Sequence, residues 1–173
     1  KFFETNAKGV YVVGDASGKH MLQHAAAYEI NHLGRILLED CKEPLHFKYM
    51  PHAVFTEPEI ASVGITEQKA KEKNIKYITS TTNWLASAKA MSTRLHYPVT
   101  KFLINPDNYE ILGCHMIGPE SSTMMHQVLA VMHINNDVRH IKEMLYIHPA
   151  LSEALLPAAV AAVKEVEKYN KKS

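Results

Sequence analysis

Short apolar runs and alternating apolar and polar positions predict six strands along this chain. The first run, from Gly9 to Gly14, is bounded by glycines and is typical of a buried strand. The last two runs are separated by the turn-forming residues Asn105-Pro-Asp-Asn108, which predict an antiparallel hairpin. The five strands after the first are predicted at residues 52–56, 60–64, 76–82, 99–104 and 110–117.

Apolar residues at three- and four-residue spacing predict helices before and after these later strands. Thr66 can cap a short helix that runs through Asn74, because its hydroxyl accepts from a backbone N–H that has no other partner. Three further helices close the chain, at residues 120–134, 138–145 and 152–169. The first helix, from residue 22 to about residue 40, has its apolar stripe at Leu22, Ala26, Ile30, Leu33 and Leu37.

This order of elements predicts an α+β fold. A mostly antiparallel sheet with helices packed on it follows one strand–helix unit. The segment from Lys42 to Pro51 has two prolines and no periodicity, so we expect a domain boundary there, between residues 1–45 and 46–173. The stripe of Met125, Val128, Leu129 and Met132 in the helix predicted at residues 120–134 is expected in the core or an interface.

The composition of the chain argues against some classes of binding partner. The chain has 173 residues, of which 46% are hydrophobic and 21% charged, and its formal net charge is +1. This balance gives no electrostatic reason to expect nucleic acid or an anionic membrane as partner. No apolar run approaches the roughly 20 residues that span a membrane, so the expected compartment is the cytoplasm. Cys41 and Cys114 fit neither a CxxC pair nor a zinc site, and we expect two buried free thiols.

The first candidate site follows the first predicted strand. Asp15 comes directly after that strand, and a helix begins within the segment Met21, Leu22, Gln23 and His24. An aspartate at a strand end can accept hydrogen bonds from sugar hydroxyls, and a helix N-terminus favours electron-rich atoms. The alternative is structural, with Asp15 only ending the strand and capping a turn.

The second candidate site is the segment from His148 to Glu153. Pro149 disfavours helical backbone at His148, which leaves the imidazole exposed before the last helix. Glu153 is close enough along the chain to bind one ring nitrogen, fix the tautomer and leave the other nitrogen free for proton transfer. The alternative is again structural, with Ser152 as N-cap and Glu153 as a first-turn acid.

Eleven histidines raise the question of a metal site. His20 and His24 could share an ion, but no third ligand is evident, and seven-residue spacing separates His126, His133 and His140 by two helical turns. We therefore predict no metal site.

Taken together, the segments resemble one family, the flavin-dependent pyridine nucleotide-disulfide oxidoreductases such as dihydrolipoamide dehydrogenase and mercuric reductase. GVYVVGDASGKHMLQHAA, from Gly9, resembles the segment that ends their FAD domain. AVFTEPEIASVGITEQKAK, from Ala53, and EILGCHMIGPES, from Glu110, resemble parts of their dimerisation domain. HPALSE, from His148, resembles their catalytic signature. These matches follow the family's order along nearly the whole chain.

The resemblance implies a role for each candidate residue. Asp15 would bind the ribityl hydroxyls of FAD, and Met21, Leu22, Gln23 and His24 would place helix N–H groups near the flavin ring. His148 would be the acid/base for the redox disulfide of the partner subunit in a homodimer, oriented by Glu153. NAD or NADP would be the co-substrate, and a lipoyl group or another small disulfide the substrate.

Two motifs of the family do not occur in this sequence. There is no GxGxxG phosphate loop for FAD or a nicotinamide cofactor, and no redox-active Cys-x4-Cys. The chain is therefore expected to be a C-terminal fragment that neither retains FAD nor catalyses by itself, and that depends on N-terminal FAD and NAD(P) domains of the same polypeptide. Ala150 stands where the family often has Thr, and Ser87-Ala-Lys-Ala90 where lipoamide enzymes often have Asn-x-Arg-Ala. The alternative hypothesis is a stand-alone, non-catalytic dimerisation module of the same fold.

Overall fold

The computed structural model describes residues 3–172 of the chain. These residues form two compact units, which divide between Met50 and Pro51. The predicted boundary after residue 45 lies within the first unit. No helix within residues 3–172 is long and apolar enough to cross a membrane.

The first unit contains a 3₁₀ turn, Gly14–Ser17, and helix α1, Gln23–Leu38. The strand predicted from Gly9 to Gly14 does not form. Instead Tyr11 makes an isolated antiparallel bridge with Glu4, supported by hydrogen bonds from Thr5 N–H to Val10 C=O and from Val12 N–H to Phe3 C=O. A strand of a parallel sheet needs neighbours on its edges, and the described residues of this unit supply only this short hairpin.

Helix α1 also buries a different face from the predicted stripe. Ile30 and Leu37 are more than half exposed. The buried side chains are Ala25, Glu29, His32 and Leu33, of which Leu33 alone belongs to the predicted stripe. Two of these are polar because they satisfy backbone groups of the same unit: Glu29 accepts from Gly14 N–H at 2.7 Å, and the His32 imidazole Nε2 lies 2.9 Å from the carbonyl oxygen of Glu43.

The second unit contains an antiparallel sheet of five strands in the order β1-β2-β5-β4-β3. The predicted hairpin is confirmed as the β4–β5 pair, with Phe102 opposite Cys114. The register of this pair shifts between Leu103 and Ile104, so that Leu112 is an extra residue in β5. The strands are β1 His52–Val54, β2 Ile60–Gly64, β3 Ile78–Asn83, β4 Val99–Ile104 and β5 Ile111–Ile117.

Five helices of the second unit complete the α+β fold. Helix α4 packs against β2 and β5, and α6 packs against β3 and β4. Each predicted residue of the methionine stripe in α4 is buried. The Thr66 cap is also present, since its hydroxyl accepts from Lys69 N–H at 3.2 Å. The helices are α2 Glu67–Glu72, α3 Ala88–Ser92, α4 Ser121–Ile134, α5 Val138–Glu143 and α6 Leu155–Asn170, with a 3₁₀ turn at Leu151–Ala154.

Candidate functional site

The turn that holds Asp15 lies against helix α1 within the first unit. Gly14 opens the turn with a φ of 65°, which favours glycine, and a Cβ on it would lie 3.1 Å from the Cβ of Ala26. The buried Glu29 fixes the turn through its hydrogen bond with Gly14 N–H. Glycine is therefore required here by both the backbone conformation and the close approach of the helix.

The other candidate residues of this unit lie at the start of α1. Leu22 is its N-cap and makes no side-chain hydrogen bond to the first turn. Met21, Gln23 and His24 are exposed, as is Asp15 in the neighbouring turn. This end of the helix thus combines a positive dipole end with an exposed carboxylate, the combination that the sequence predicted.

His148 and Glu153 are in direct contact in the second unit. The imidazole Nδ1 lies 2.7 Å from the Glu153 Oε1, and the side chain of His148 is 68% exposed, against 19% for Glu153. An ionised carboxylate can only accept, so Nδ1 carries the proton in the neutral ring and Nε2 is left as an acceptor. Among residues 3–172, Glu153 is the only hydrogen-bond partner of the imidazole.

Glu153 also caps the start of the 3₁₀ turn that leads into α6. Its second oxygen, Oε2, accepts from Ala150 N–H at 2.8 Å, and these two hydrogen bonds, the one from Ala150 first, lower the pKa of the carboxyl. Ser152 is not an N-cap, since the 3₁₀ turn that leads into α6 begins at Leu151 with Ala150 as its cap. Ala150 has no hydroxyl to return a hydrogen bond. The carboxylate therefore orients His148 and caps the turn at once.

Two hydrogen bonds, one local and one between distant segments, hold the backbone on either side of His148. The Tyr146 hydroxyl donates to the carbonyl oxygen of Ile141 at the end of α5, at 2.8 Å. The Ser87 hydroxyl donates to the carbonyl oxygen of Ala150 at 3.1 Å. Neither residue was identified from the sequence. The helix α3 that Ser87 begins is too short for a periodic signal, although the Ser87-Ala-Lys-Ala90 segment had already drawn attention as a departure from the family.

The lowered pKa of Glu153 predicts a dependence of stability on pH. A carboxyl whose pKa is lower in the folded than in the unfolded state stabilises the fold above the unfolded pKa, about 4.3. That contribution is lost as the pH falls through the folded value. We expect Glu153→Gln to be less stable than wild type at pH 7 and to lose this deficit in acid. Urea denaturation between pH 3 and pH 7, followed by the fluorescence of the buried Trp84, measures this.

Glu165→Gln is the control for that prediction, because it removes one carboxylate from α6, the helix that follows this turn, where Glu165 pairs with Lys168 on the surface. A Glu153→Gln deficit of constant size across the pH range would contradict the prediction.

Other titratable residues of the second unit are held in structural contacts. His115 is half-buried in β5, and its ring nitrogens contact Ser62 Oγ and the carbonyl oxygen of Ile65, both at 3.1 Å. Burial, the largest cause, lowers its pKa. Cys114 is a buried free thiol whose pKa is raised by burial, whereas Cys41 of the first unit is free but only half-buried. No group of three metal-binding side chains comes together in the described part of the chain.

Comparison with known proteins shows which protein family this chain belongs to. The family described as pyridine nucleotide-disulphide oxidoreductase, dimerisation domain, matches residues 50–159. This chain belongs to that family. The matched range starts one residue before the second compact unit and includes both His148 and Glu153.

The similar curated proteins include several dihydrolipoyl dehydrogenases. That of Buchnera aphidicola from Acyrthosiphon pisum is 31% identical over 155 residues, which cover 88% of this chain and 32% of the relative. The mitochondrial enzyme of Schizosaccharomyces pombe is 33% identical over 163 residues, covering 92% and 31%. Dihydrolipoyl dehydrogenase 2, chloroplastic, of Arabidopsis thaliana is 34% identical over 151 residues, covering 84% and 26%. The chain thus spans about a third or less of the length of these relatives.

Solved structures show the same fold. LpdA from Mycobacterium tuberculosis superposes with a TM-score of 0.81 at 22% identity, covering 92% of this chain and 35% of its own. The HOCl-induced flavoprotein disulfide reductase RclA from Escherichia coli superposes with a TM-score of 0.85 at 23% identity, covering 91% and 37%. The dimerisation-domain fold predicted from the sequence is confirmed.

Proposed function

We propose that this chain is the C-terminal part of a flavin-dependent disulfide oxidoreductase of the dihydrolipoyl dehydrogenase type. In this proposal residues 51–173 form the homodimer interface and supply an acid/base pair, His148 and Glu153, to the redox disulfide of the partner subunit. The observation that carries it is the 2.7 Å hydrogen bond between these two side chains, on an exposed loop of a domain whose family is defined by dimerisation.

The pair suits thiol–disulfide chemistry. A thiol attacks a disulfide as the thiolate, so a base must take its proton and later return it. The neutral imidazole presents Nε2 to solvent as that base, while the Glu153 carboxylate holds Nδ1–H and stabilises the cation that forms when Nε2 is protonated. The substrate we propose is a small disulfide, with a lipoyl group first because the similar curated proteins are dihydrolipoyl dehydrogenases.

The loop that carries His148 also presents apolar surface. Leu145 is fully exposed and Ile147 is 82% exposed, both within three residues of His148. Large apolar side chains that stand in solvent on an ordered loop are typical of an interface with another protein. Because the domain belongs to a dimerisation family, a second copy of the chain is the partner that we propose, with a two-fold patch that meets itself.

The first unit fits an FAD-binding segment. Gly14 lies close to α1, where a Cβ would be only 3.1 Å from the Cβ of Ala26, Asp15 is exposed beside it, and the first turn of α1 has no side-chain cap. We propose that Asp15 accepts hydrogen bonds from the ribityl hydroxyls and that residues Met21, Leu22, Gln23 and His24 present the helix N-terminus to the flavin ring. Bound FAD would supply the transfer of electrons between NAD or NADP and the redox disulfide.

Mixed dimers test the proposal. The gene's reading frame upstream of Lys1 should first be read, because the proposal requires encoded FAD and nicotinamide domains there and a stand-alone module would lack them. In the longer polypeptide, subunits with His148→Gln are then mixed with subunits that lack the redox cysteines. If His148 serves its partner, one site of each heterodimer has both defects and the other has none, so activity reappears.

If His148 serves its own subunit, each site of the heterodimer carries one defect and the mixture stays inactive. That result would contradict the proposal that His148 acts in the active site of the partner subunit. Differently tagged subunits, purified through both tags, ensure that heterodimers are the species measured. Dimers in which both subunits carry His148→Gln, again with two different tags, provide the inactive reference.

A further inference from the structure

The buried hydroxyl of Ser87 joins two parts of the second unit that are distant in sequence. Ser87 is 2% exposed. Its Oγ accepts from Ala90 N–H at 3.4 Å, which caps α3, and donates to the carbonyl oxygen of Ala150 at 3.1 Å. One oxygen atom therefore acts as acceptor to one segment and donor to the other, which a hydroxyl side chain can do with a single atom.

The contact with Ala150 lies one step from the acid/base pair. Ala150 donates its N–H to Glu153 Oε2 at 2.8 Å, and the other oxygen of the same carboxylate receives Nδ1–H of His148. The two carboxylate oxygens are rigidly linked, so a shift of Ala150 that draws Oε2 along also moves Oε1 relative to the ring. The placement of the Ala150 backbone thus decides whether the hydrogen bond to the imidazole can form.

Few groups of other elements can fix Ala150, whose carbonyl oxygen also accepts from Glu153 N–H at 3.3 Å, within the same turn. Pro149, directly before it, has no backbone N–H to donate, and Ala150 itself has no side-chain hydroxyl to complete a capping box with Glu153. His148 is largely exposed and cannot be held by packing. On the other side of the loop, Tyr146 is tied to Ile141. The Ser87 hydroxyl therefore supplies, from α3, the anchor that the loop lacks on the side of Glu153.

We propose that Ser87 is a positioning residue for the His148–Glu153 pair. Its importance for catalysis rests on the proposed function of that pair, but its effect on the geometry of the ring does not. The hydrogen bonds of Ser87 within residues 3–172 are with Ala90 and Ala150 and not with the ring or the carboxylate, so its proposed effect passes through the Ala150 backbone.

The tautomer of the His148 ring tests the proposal. In the 173-residue chain with ¹⁵N-labelled histidine, long-range ¹H–¹⁵N spectra above pH 8 report which ring nitrogen carries the proton. Wild type should hold the proton on Nδ1. In Ser87→Ala, the ratio of the Nδ1–H form to the Nε2–H form should fall about two- to tenfold, the effect of losing one net hydrogen bond. His148→Gln assigns the resonance.

Thr66→Ala is the matched control, because it removes the hydroxyl cap of another short helix, α2, in the same unit. It should weaken the fold without changing the tautomer ratio. Ser87→Cys, with a similar volume and a weak donor, should give an intermediate ratio and remains readable if Ser87→Ala does not fold. An unchanged ratio in a folded Ser87 variant, or an equal fall in Thr66→Ala, would overturn the proposal. Either result would leave the role of His148 in turnover to be decided by the mixed dimers.

Discussion

Turnover with the disulfide substrate is expected to fall by about 10²–10⁴ when His148 is changed to Gln in the longer polypeptide, the usual contribution of a positioned proton-transfer group. Gln keeps the polar character of the side chain but cannot take up a proton from a thiol. Glu153→Gln should cost less, because it removes the orientation of the ring and the charge beside it but leaves the imidazole in place. Steady-state kinetics with the disulfide substrate measures both losses.

Separate measurement of the two half-reactions, flavin reduction and thiol–disulfide exchange, shows which of them His148→Gln slows. Reduction of the flavin by the nicotinamide, followed by stopped-flow absorbance, should be nearly unaffected in His148→Gln, because the proposed proton transfer belongs to thiol–disulfide exchange. Folding should also be spared, since His148 is 68% exposed and its one hydrogen bond lies on the surface. His96→Gln, at an exposed position in the loop before β4, is the matched control and should turn over as wild type does. Equal slowing of flavin reduction in His148→Gln would contradict the assignment.

The sequence predicted best what short segments decide by themselves. The ends of β2 and β4 agree with the predicted ranges to the residue. Strand β2 is a short apolar run that ends at a glycine, and β4 lies between Pro98 and the turn that begins at Asn105. The hydroxyl of Thr66 accepts its hydrogen bond from the N–H of Lys69, only three positions further along the chain. His148 and Glu153 are five positions apart on one turn, so their contact could also be anticipated. In each case the interacting groups are near neighbours along the chain.

What the sequence could not predict depends on contacts between distant segments. Ser87 reaches Ala150 across 63 positions, and Glu59 accepts from the N–H and hydroxyl of Ser122 across the same separation. No periodicity marks either contact. In the first unit the sequence-based prediction was wrong for a different reason. An apolar run such as Val10–Val13 forms a strand only where other strands flank it. Its residues instead form a local hairpin, and α1 turns Glu29 and His32 inward to satisfy backbone groups.

The close approach of β2 to β5 at Gly64 is the most demanding feature of the sheet. Gly64 has a φ of 78° and pairs with Gly113. A Cβ on Gly64 would lie 2.2 Å from the carbonyl oxygen of Leu112 and 2.8 Å from the Cα of Gly113, both of which are backbone atoms that cannot rotate away. Leu112 is the extra residue of β5, and its carbonyl also accepts from Ile65 N–H at 2.9 Å. The bulge thus brings the two backbones together where only glycine fits.

Gly64→Ala is therefore expected to lower the free energy of unfolding by about 2–6 kcal/mol, the sum of a strained backbone at positive φ and of overpacking. Urea denaturation followed by Trp84 fluorescence should show a lower midpoint with an unchanged slope. Asn74→Ala separates the two causes, because Asn74 also has a positive φ, 52°, but is exposed at the end of α2. It should cost only about 1–2 kcal/mol, the penalty of the left-handed backbone alone. Equal losses in the two variants would show that the β2–β5 contact can relax around a methyl group, and that the bulge at Leu112 does not fix the spacing of these strands.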